Sequence, residues 1–276
     1  MAATARRTVP IADGLELEVT ECGAGEPVVV VQTALTGDEL LPLTELLAQD
    51  TGLHATHLGR RGYGTSSPGR AGTTVADMAA DCRDAISALG IVPAHVVGAS
   101  FSCVVALSLV TLAPSHVRSL TLVEPPPLDG PGAVAFRAAS AQLVSTATAR
   151  GTAAALDEFM PNLYGPTWRE DSEFASPEAF VALERDARTF FAVDLPAMLA
   201  YRIDGQDLAA VRCPVLVVGG EGSGVWFREA RELLGRWLPH AEHTVLAGAD
   251  HLVAGTHPHE LARLIIEFLS TQWAGR

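Results

Sequence analysis

Charge is scarce in this sequence, and basic charge is scarcer. Only 18% of the 276 residues are charged, and 19 basic residues face 32 acidic ones, for a formal net charge of −13. Nucleic acids and anionic membranes are bound by clustered lysine and arginine, so neither is expected as a partner. Cysteine is also rare. Cys22, Cys82, Cys103 and Cys213 lie far apart and form no C-x-x-C pair. Disulfide frameworks belong to short secreted chains, so four reduced and mostly buried thiols in a cytoplasmic protein are expected. The stretch MAATARRTVPIADG carries two arginines but no apolar run of signal-peptide type. No internal repeat or low-complexity tract stands out. One run, Val96 to Ala113, is uncharged for 18 residues, long enough for a membrane span. Its Gly98, Ser100, Ser102, Ser108 and Thr111 argue against one. It divides instead into a short strand and a buried helix.

What is abundant is apolar surface. Hydrophobic residues make up 48% of the chain, enough for a sizeable core. RTVPI and LELEVTE flank Ala12-Asp13-Gly14 as in a hairpin. Short apolar runs follow at Val28–Val31, His54–Leu58, His95–Val97, Leu120–Val123, Val215–Val218 and His243–Leu246. The later runs are apolar throughout and rich in Val and Leu, as in strands covered by helices on both faces. Helical patterns separate them: Glu39–Gln49, Val75–Leu89, Phe101–Leu112, Phe227–Leu238 and Pro258–Trp273. Thr74 with Asp77 reads as a capping pair and Gly90 as a helix stop. The alternation predicts an α/β fold with a doubly wound, mostly parallel sheet of about eight strands. From Glu124 to about Gln206 the rhythm breaks. Three prolines, Pro125 to Pro127, lead into helix-like stretches with aromatics from Phe136 to Tyr201, Trp168 and Phe174 among them. This segment is expected to be a helical cap, 125–206, inserted in a core of 1–124 and 207–276. Its aromatics either line a pocket or form the cap's own core.

The chemistry centres on HVVGASFSC, His95 to Cys103. A serine hydroxyl is a poor nucleophile until a base takes its proton. A strand-turn-helix elbow projects the oxygen above the sheet and sets backbone N–H groups beside it for an oxyanion. Such a turn needs small residues two places before and after the serine. Gly98 meets that need, and Ser102 stands where the second glycine is usual. The base is expected late in the chain, on a loop between the last strand and a helix, which is where His251 stands. His257 and His259 suggest a short metal motif but lack a third ligand, so no metal and no cofactor are expected. GRRGYG lacks the G-x-G-x-x-G spacing of a dinucleotide loop.

With these residues in view, the chain resembles the α/β-hydrolase fold superfamily over nearly its whole length. RRGYGTSS is similar to its loop after the fourth strand, HVVGASFS to its elbow, and CPVLVVGGEGS to its penultimate strand. GADH followed by HPHELARLIIEFL is similar to its histidine loop and last helix. The resemblance implies Ser100 as nucleophile, His251 as base and the Phe101 N–H as one oxyanion donor. Four departures stand out. Val31-Gln32-Thr33-Ala34 replaces the usual His-Gly stretch. Ala34 is the expected second oxyanion donor, with Thr33 next, and Gln32 or Thr33 can instead bind substrate, as can Trp168. Gly59 replaces an aspartate before Arg-Gly-x-Gly. Ser102 is the third departure. Fourth, the acid position nine residues after Pro214 is Ser223. Losing the acid costs about 10⁴ in turnover on the serine-protease template. Glu124, at the end of the strand Leu120–Val123, and Glu221 are the candidate replacements, and a chain with no working acid is the remaining reading. Asp250, beside the histidine, is expected to point away or brace the loop.

Three functions fit. The first is a serine hydrolase of small or medium hydrophobic esters, lactones or thioesters. The second is a repurposed enzyme of the same fold, a cyclase, lyase or C–C hydrolase without a full triad. The third is a non-catalytic small-molecule binder. The expected partner is a small-molecule substrate, with the chain a monomer or homodimer.

Overall fold

The computed structural model describes residues 5–49, 52–170 and 176–273. Phe174 lies outside them. One sheet contains β1 (Ala5–Pro10), β2 (Glu16–Gly23), β3 (Glu26–Val31), β4 (Leu53–Leu58), β5 (Ala94–Ala99), β6 (Val117–Val123), β7 (Val215–Gly220) and β8 (Glu242–Leu246). Its order is β1-β2-β4-β3-β5-β6-β7-β8. The β1–β2 hairpin turns through Asp13 and Gly14, both at positive φ, and β2 pairs antiparallel with β4. Every later pairing is parallel. The doubly wound sheet expected from the alternating runs is the one observed.

In chain order the helices are α1 (Leu41–Leu47), α2 (Val75–Ala88) and α3 (Phe101–Leu112). Between β6 and β7 come α4 (Pro131–Arg150), α5 (Thr152–Phe159), α6 (Pro161–Tyr164), α7 (Pro177–Thr189), α8 (Leu195–Ala200) and α9 (Gly205–Leu208). After β7 come α10 (Val225–Trp237), α11 (Val253–Thr256) and α12 (Pro258–Trp273). The central strands β3, β5, β6 and β7 are rich in valine and leucine because both of their faces are covered. Val29, Val31, Val96, Leu120, Leu122 and Val217 belong to the core under α2 and α3. Their neighbours Val28, Val30, Val97, Val123 and Val218 belong to the core under α1 and α12. Each such fully buried side chain contributes about 1.5–3 kcal/mol relative to exposure. The capping pair forms as read. Thr74 Oγ1 accepts from the Asp77 N–H, and the Asp77 carboxylate accepts from the Thr74 N–H at 2.8 Å. Gly90, just past α2, takes φ 71, a value only glycine adopts without strain.

The uncharged run Val96–Ala113 becomes β5 plus α3, a helix buried on nearly every side. Among the described residues no helix is long and apolar enough to cross a membrane. The four cysteines are free, three of them buried. Between β6 and β7 only helices occur among the described residues. They carry a separate apolar cluster that includes Leu156, Trp168, Phe190 and Phe191.

Candidate active site

Strands β3, β5, β6, β7 and β8 all end at the same edge of the sheet, and the segments leaving those ends form one site. Ligands of open α/β sheets bind outside such carboxyl ends. Among the described residues four non-glycine residues hold positive φ, and three lie here: Leu35 at 76°, Ser100 at 49° and Glu124 at 51°. Backbone strain concentrated at one place marks a site that the rest of the fold holds in tension.

Ser100 sits between β5 and α3. Its N–H donates to Val123 O at 2.8 Å, which ties the elbow to β6. A Cβ on Gly98 would stand 2.6 Å from Ser102 O, so only glycine fits there. Ser102 is fully buried and explains its own presence. Its hydroxyl accepts from Ala99 N at 2.8 Å and donates to Ala99 O at 2.9 Å, stitching the turn where a glycine is usual.

His251 follows β8 in a loop that packs on β7. Gly222 N donates to Ala249 O at 2.8 Å, and a Cβ on Gly220 would collide with that same carbonyl. His251 Nε2 lies 3.2 Å from Ser100 Oγ, and His251 Nδ1 lies 3.3 Å from Glu124 Oε2. With its Nδ1 proton directed at the Glu124 carboxylate, the imidazole keeps Nε2 free to accept from the serine hydroxyl. Phe227 stacks on the imidazole at 3.9 Å between ring centres and fixes its plane.

Glu124 is 1% exposed at the end of β6. Its Oε1 accepts from Gly220 N at 2.7 Å and Ser223 Oγ at 2.8 Å, with Arg231 Nη1 at 3.4 Å. The other oxygen faces His251. Ser223, at the usual acid position, therefore grips the carboxylate that the neighbouring strand supplies. The two other acidic candidates do different work. Glu221 Oε2 accepts from Gly248 N at 3.0 Å, and Asp250 Oδ1 accepts from Leu252 N at 2.9 Å. Both brace the histidine loop.

Phe101 opens α3, so its N–H belongs to a first turn that has no intrahelical acceptor. Among the described residues neither that N–H nor the Ala34 N–H is taken by another group, and both residues line the cavity at Ser100. The loop bearing Ala34 is held from behind. Arg60 Nε donates to Gln32 O and Arg60 Nη2 to Thr33 O, both at 2.9 Å. Arg60 also pairs with Asp194, at 2.8 and 2.7 Å. The Tyr63 hydroxyl donates to Asp194 at 2.6 Å and accepts from Leu35 N at 3.1 Å. Burial disfavours the Arg60 charge, yet the adjacent Asp194 carboxylate holds its pKa above the ordinary arginine value. Burial, reinforced by Asp194, pushes the Tyr63 phenol well above its usual pKa, so it remains a donor. Asp194 comes from a π-helical turn, Phe190–Asp194, in the segment between β6 and β7. A lone charge inside FFAVDLPAML is the sequence signal that could have found it. Nothing there named its partner.

The cavity over Ser100 has a volume of about 400 Å³. Thr33 lines it, although its hydroxyl donates to Ala99 O at 2.8 Å. Two expectations for substrate contact are corrected. Gln32 does not line the cavity. Its side chain donates to Thr33 O and accepts from Arg60 N, which uses it up in shaping the loop. Trp168 also stays out of the cavity wall. It is 3% exposed within the helical segment's own core, 6.2 Å from the Phe180 ring, with Arg169 stacked over it. Phe227, Phe136, Met198 and Trp226 line the cavity instead. Their apolar character does not distinguish them from core residues in the sequence.

Residues 34–264 match the sequence model of the alpha/beta hydrolase family. A stretch of 113 residues, 41% of this chain, is 35% identical to the dihydrolipoyllysine-residue acetyltransferase component of the acetoin cleaving system of Cupriavidus necator, and spans 30% of that protein. A thermophilic esterase from Thermogutta terrifontis, solved with malate bound, superposes with a TM-score of 0.80 at 22% identity, over 97% of this chain and 99% of that one. The enol-lactonase from Burkholderia xenovorans LB400 superposes with a TM-score of 0.81 at 16% identity, over 96% and 100%. Sheet order, serine elbow, histidine loop and a family match across most of the sequence lead to one assignment: the chain belongs to the α/β hydrolase family.

Proposed function

We propose that the protein is a serine hydrolase of carboxylic esters, lactones or thioesters. The observation that carries this reading is the unbroken hydrogen-bonded series from Ser100 Oγ through His251 to the buried Glu124. His251 Nε2 takes the hydroxyl proton as Ser100 Oγ attacks the carbonyl carbon. The oxygen that becomes negative is received by the Ala34 and Phe101 N–H groups. The imidazolium then returns the proton to the leaving alkoxide or thiolate, and the acyl group remains on Ser100. Water, deprotonated by His251, attacks the acyl carbon and frees the acid and the serine. Glu124 keeps the imidazole in the right tautomer and stabilises its positive charge in each half-reaction. The helices of 125–206 act as a cap that keeps bulk water from the acyl-enzyme. The chemistry named for the esterase and the enol-lactonase of similar fold agrees with this class.

The test is labelling by an alkyl fluorophosphonate, read by mass spectrometry of the peptide containing Ser100. A single adduct at Ser100, abolished in Ser100→Ala together with ester hydrolysis, is the expected result. An unlabelled Ser100, or full ester hydrolysis by Ser100→Ala, overturns the reading.

A further inference from the structure

The cavity is notable for its charge as well as its shape. Leu143, Phe159, Leu195, Met198 and Trp226 contribute to an apolar wall. Besides His251, the wall among the described residues carries the acidic side chains Glu39, Glu124 and Asp250. No arginine lines it among the described residues. The chain contains no lysine at all, and its 19 basic residues are all arginine. Of the residues outside the described set only Arg276 is basic.

Three arginines that contact wall residues are already engaged. Arg60 lies behind Phe101, 4.6 Å from its ring centre, and is paired with Asp194. Arg231 reaches Glu124. Arg137 donates to the carbonyls of Leu128, Met198, Leu199 and Tyr201. A carboxylate entering this space would shed its water, meet no available cation and face like charges. An unpaired buried charge is strongly disfavoured. A neutral polar atom is received differently. Ser140 on α4 is 4% exposed and lines the cavity, and its hydroxyl makes no hydrogen bond within the protein among the described residues. A hydroxyl at the cavity wall without a protein partner is open to a neutral carbonyl or ether oxygen of a ligand.

We infer that the substrate class of this site is the uncharged, predominantly apolar ester, and that esters carrying a second, ionised carboxylate are excluded. The inference rests on the Ser100 reading for its chemistry and on the cavity wall for its selectivity. Two matched esters test it: methyl para-nitrophenyl glutarate, which is neutral, and mono-para-nitrophenyl glutarate, which carries a free carboxylate. Nitrophenolate release by the wild-type protein near neutral pH is compared, and the affinity of both esters for Ser100→Ala is measured by calorimetry. The expected kcat/KM ratio is at least about 100-fold in favour of the neutral ester, with the same preference in binding. Comparable or tighter binding of the acid to Ser100→Ala overturns the inference, whatever the turnover. If the neutral ester alone binds Ser100→Ala but the wild-type protein releases no nitrophenolate, the selectivity stands and the hydrolase reading falls.

Discussion

The loop after β4 and the loop after β7 each lack an aspartate that the α/β-hydrolase pattern places there. Gly59 stands at the first position and Ser223 at the second. In both loops a glutamate from the adjacent strand fills the gap. Glu18 on β2 accepts from Thr65 N at 2.8 Å and Thr65 Oγ1 at 2.6 Å, and pairs with Arg6 at 2.9 Å. Glu124 after β6 accepts from Gly220 N and Ser223 Oγ. Neighbouring strands lie about 4.8 Å apart, so a side chain one methylene longer than aspartate reaches into the next strand's loop. The residue left behind adapts. Gly59 sits close against Glu18, and a Cβ there would make a tight contact of 3.2 Å with Glu18 O. Ser223 instead becomes a donor. The two carboxylates differ in what remains free. Glu18 is used up by its loop and by Arg6, whereas Glu124 keeps one oxygen for His251. Moving a carboxylate across one strand thus braces a loop in one case and sets a carboxylate oxygen against His251 in the other.

Substitutions can break this comparison. The largest effect is expected from Glu124→Gln, which leaves shape and burial intact. Turnover of a para-nitrophenyl ester should fall by about 10⁴-fold with little change in KM. Retention of full turnover would reduce Glu124 to a loop brace like Glu18. Asp194→Asn comes next. It strips the counter-charge from buried Arg60 and should lower unfolding free energy by about 3–5 kcal/mol in urea titration. An unchanged midpoint would mean that the clamp on the Ala34 loop carries no energy.

The comparison is sharpened by restoring the usual acid position. Ser223→Asp in the Glu124→Gln background should recover at least about tenfold of the lost turnover, because the new carboxylate occupies the spot from which the serine now reaches Glu124. No recovery would show that the two positions are not equivalent. The smallest effect belongs to Glu18→Gln, which should cost about 1–3 kcal/mol of stability while leaving kcat within about twofold. Its pH signature is distinct. Burial pushes the Glu18 carboxyl up, but hydrogen bonds from Thr65 and the charge of Arg6 together hold it below its usual value. A carboxyl lowered in the folded state stabilises fully above the ordinary glutamate range and loses that contribution as pH falls through the folded value. The stability gap between wild type and Glu18→Gln should therefore narrow in acid. A gap that widens there would contradict the direction of the shift.

The sequence made the sheet legible because two-sided burial leaves a simple trace, a run of Val and Leu without alternation. It made Ser100 and His251 legible because strand–serine–helix and strand–histidine–helix are local arrangements. Glu124 was legible only as one of two candidate acids, since the hydrogen bond to His251 joins residues far apart in the chain. Gln32 and Trp168 were misplaced for a related reason. A polar residue beside the elbow and an aromatic in the helical segment look the same whether they face a ligand or their own neighbours. Asp194 showed as a lone charge in an apolar run, yet its partners Arg60 and Tyr63 lie on a distant loop.

By itself, then, the sequence determined the α/β architecture, the serine turn and the histidine loop, each written in contiguous residues whose periodicity and size act locally. Tertiary structure alone decided which carboxylate meets His251, what Ser223 does, and how the Ala34 loop is held. Those outcomes depend on which strands lie side by side and on distances of about 3 Å between hydrogen-bonding atoms, which no local pattern encodes.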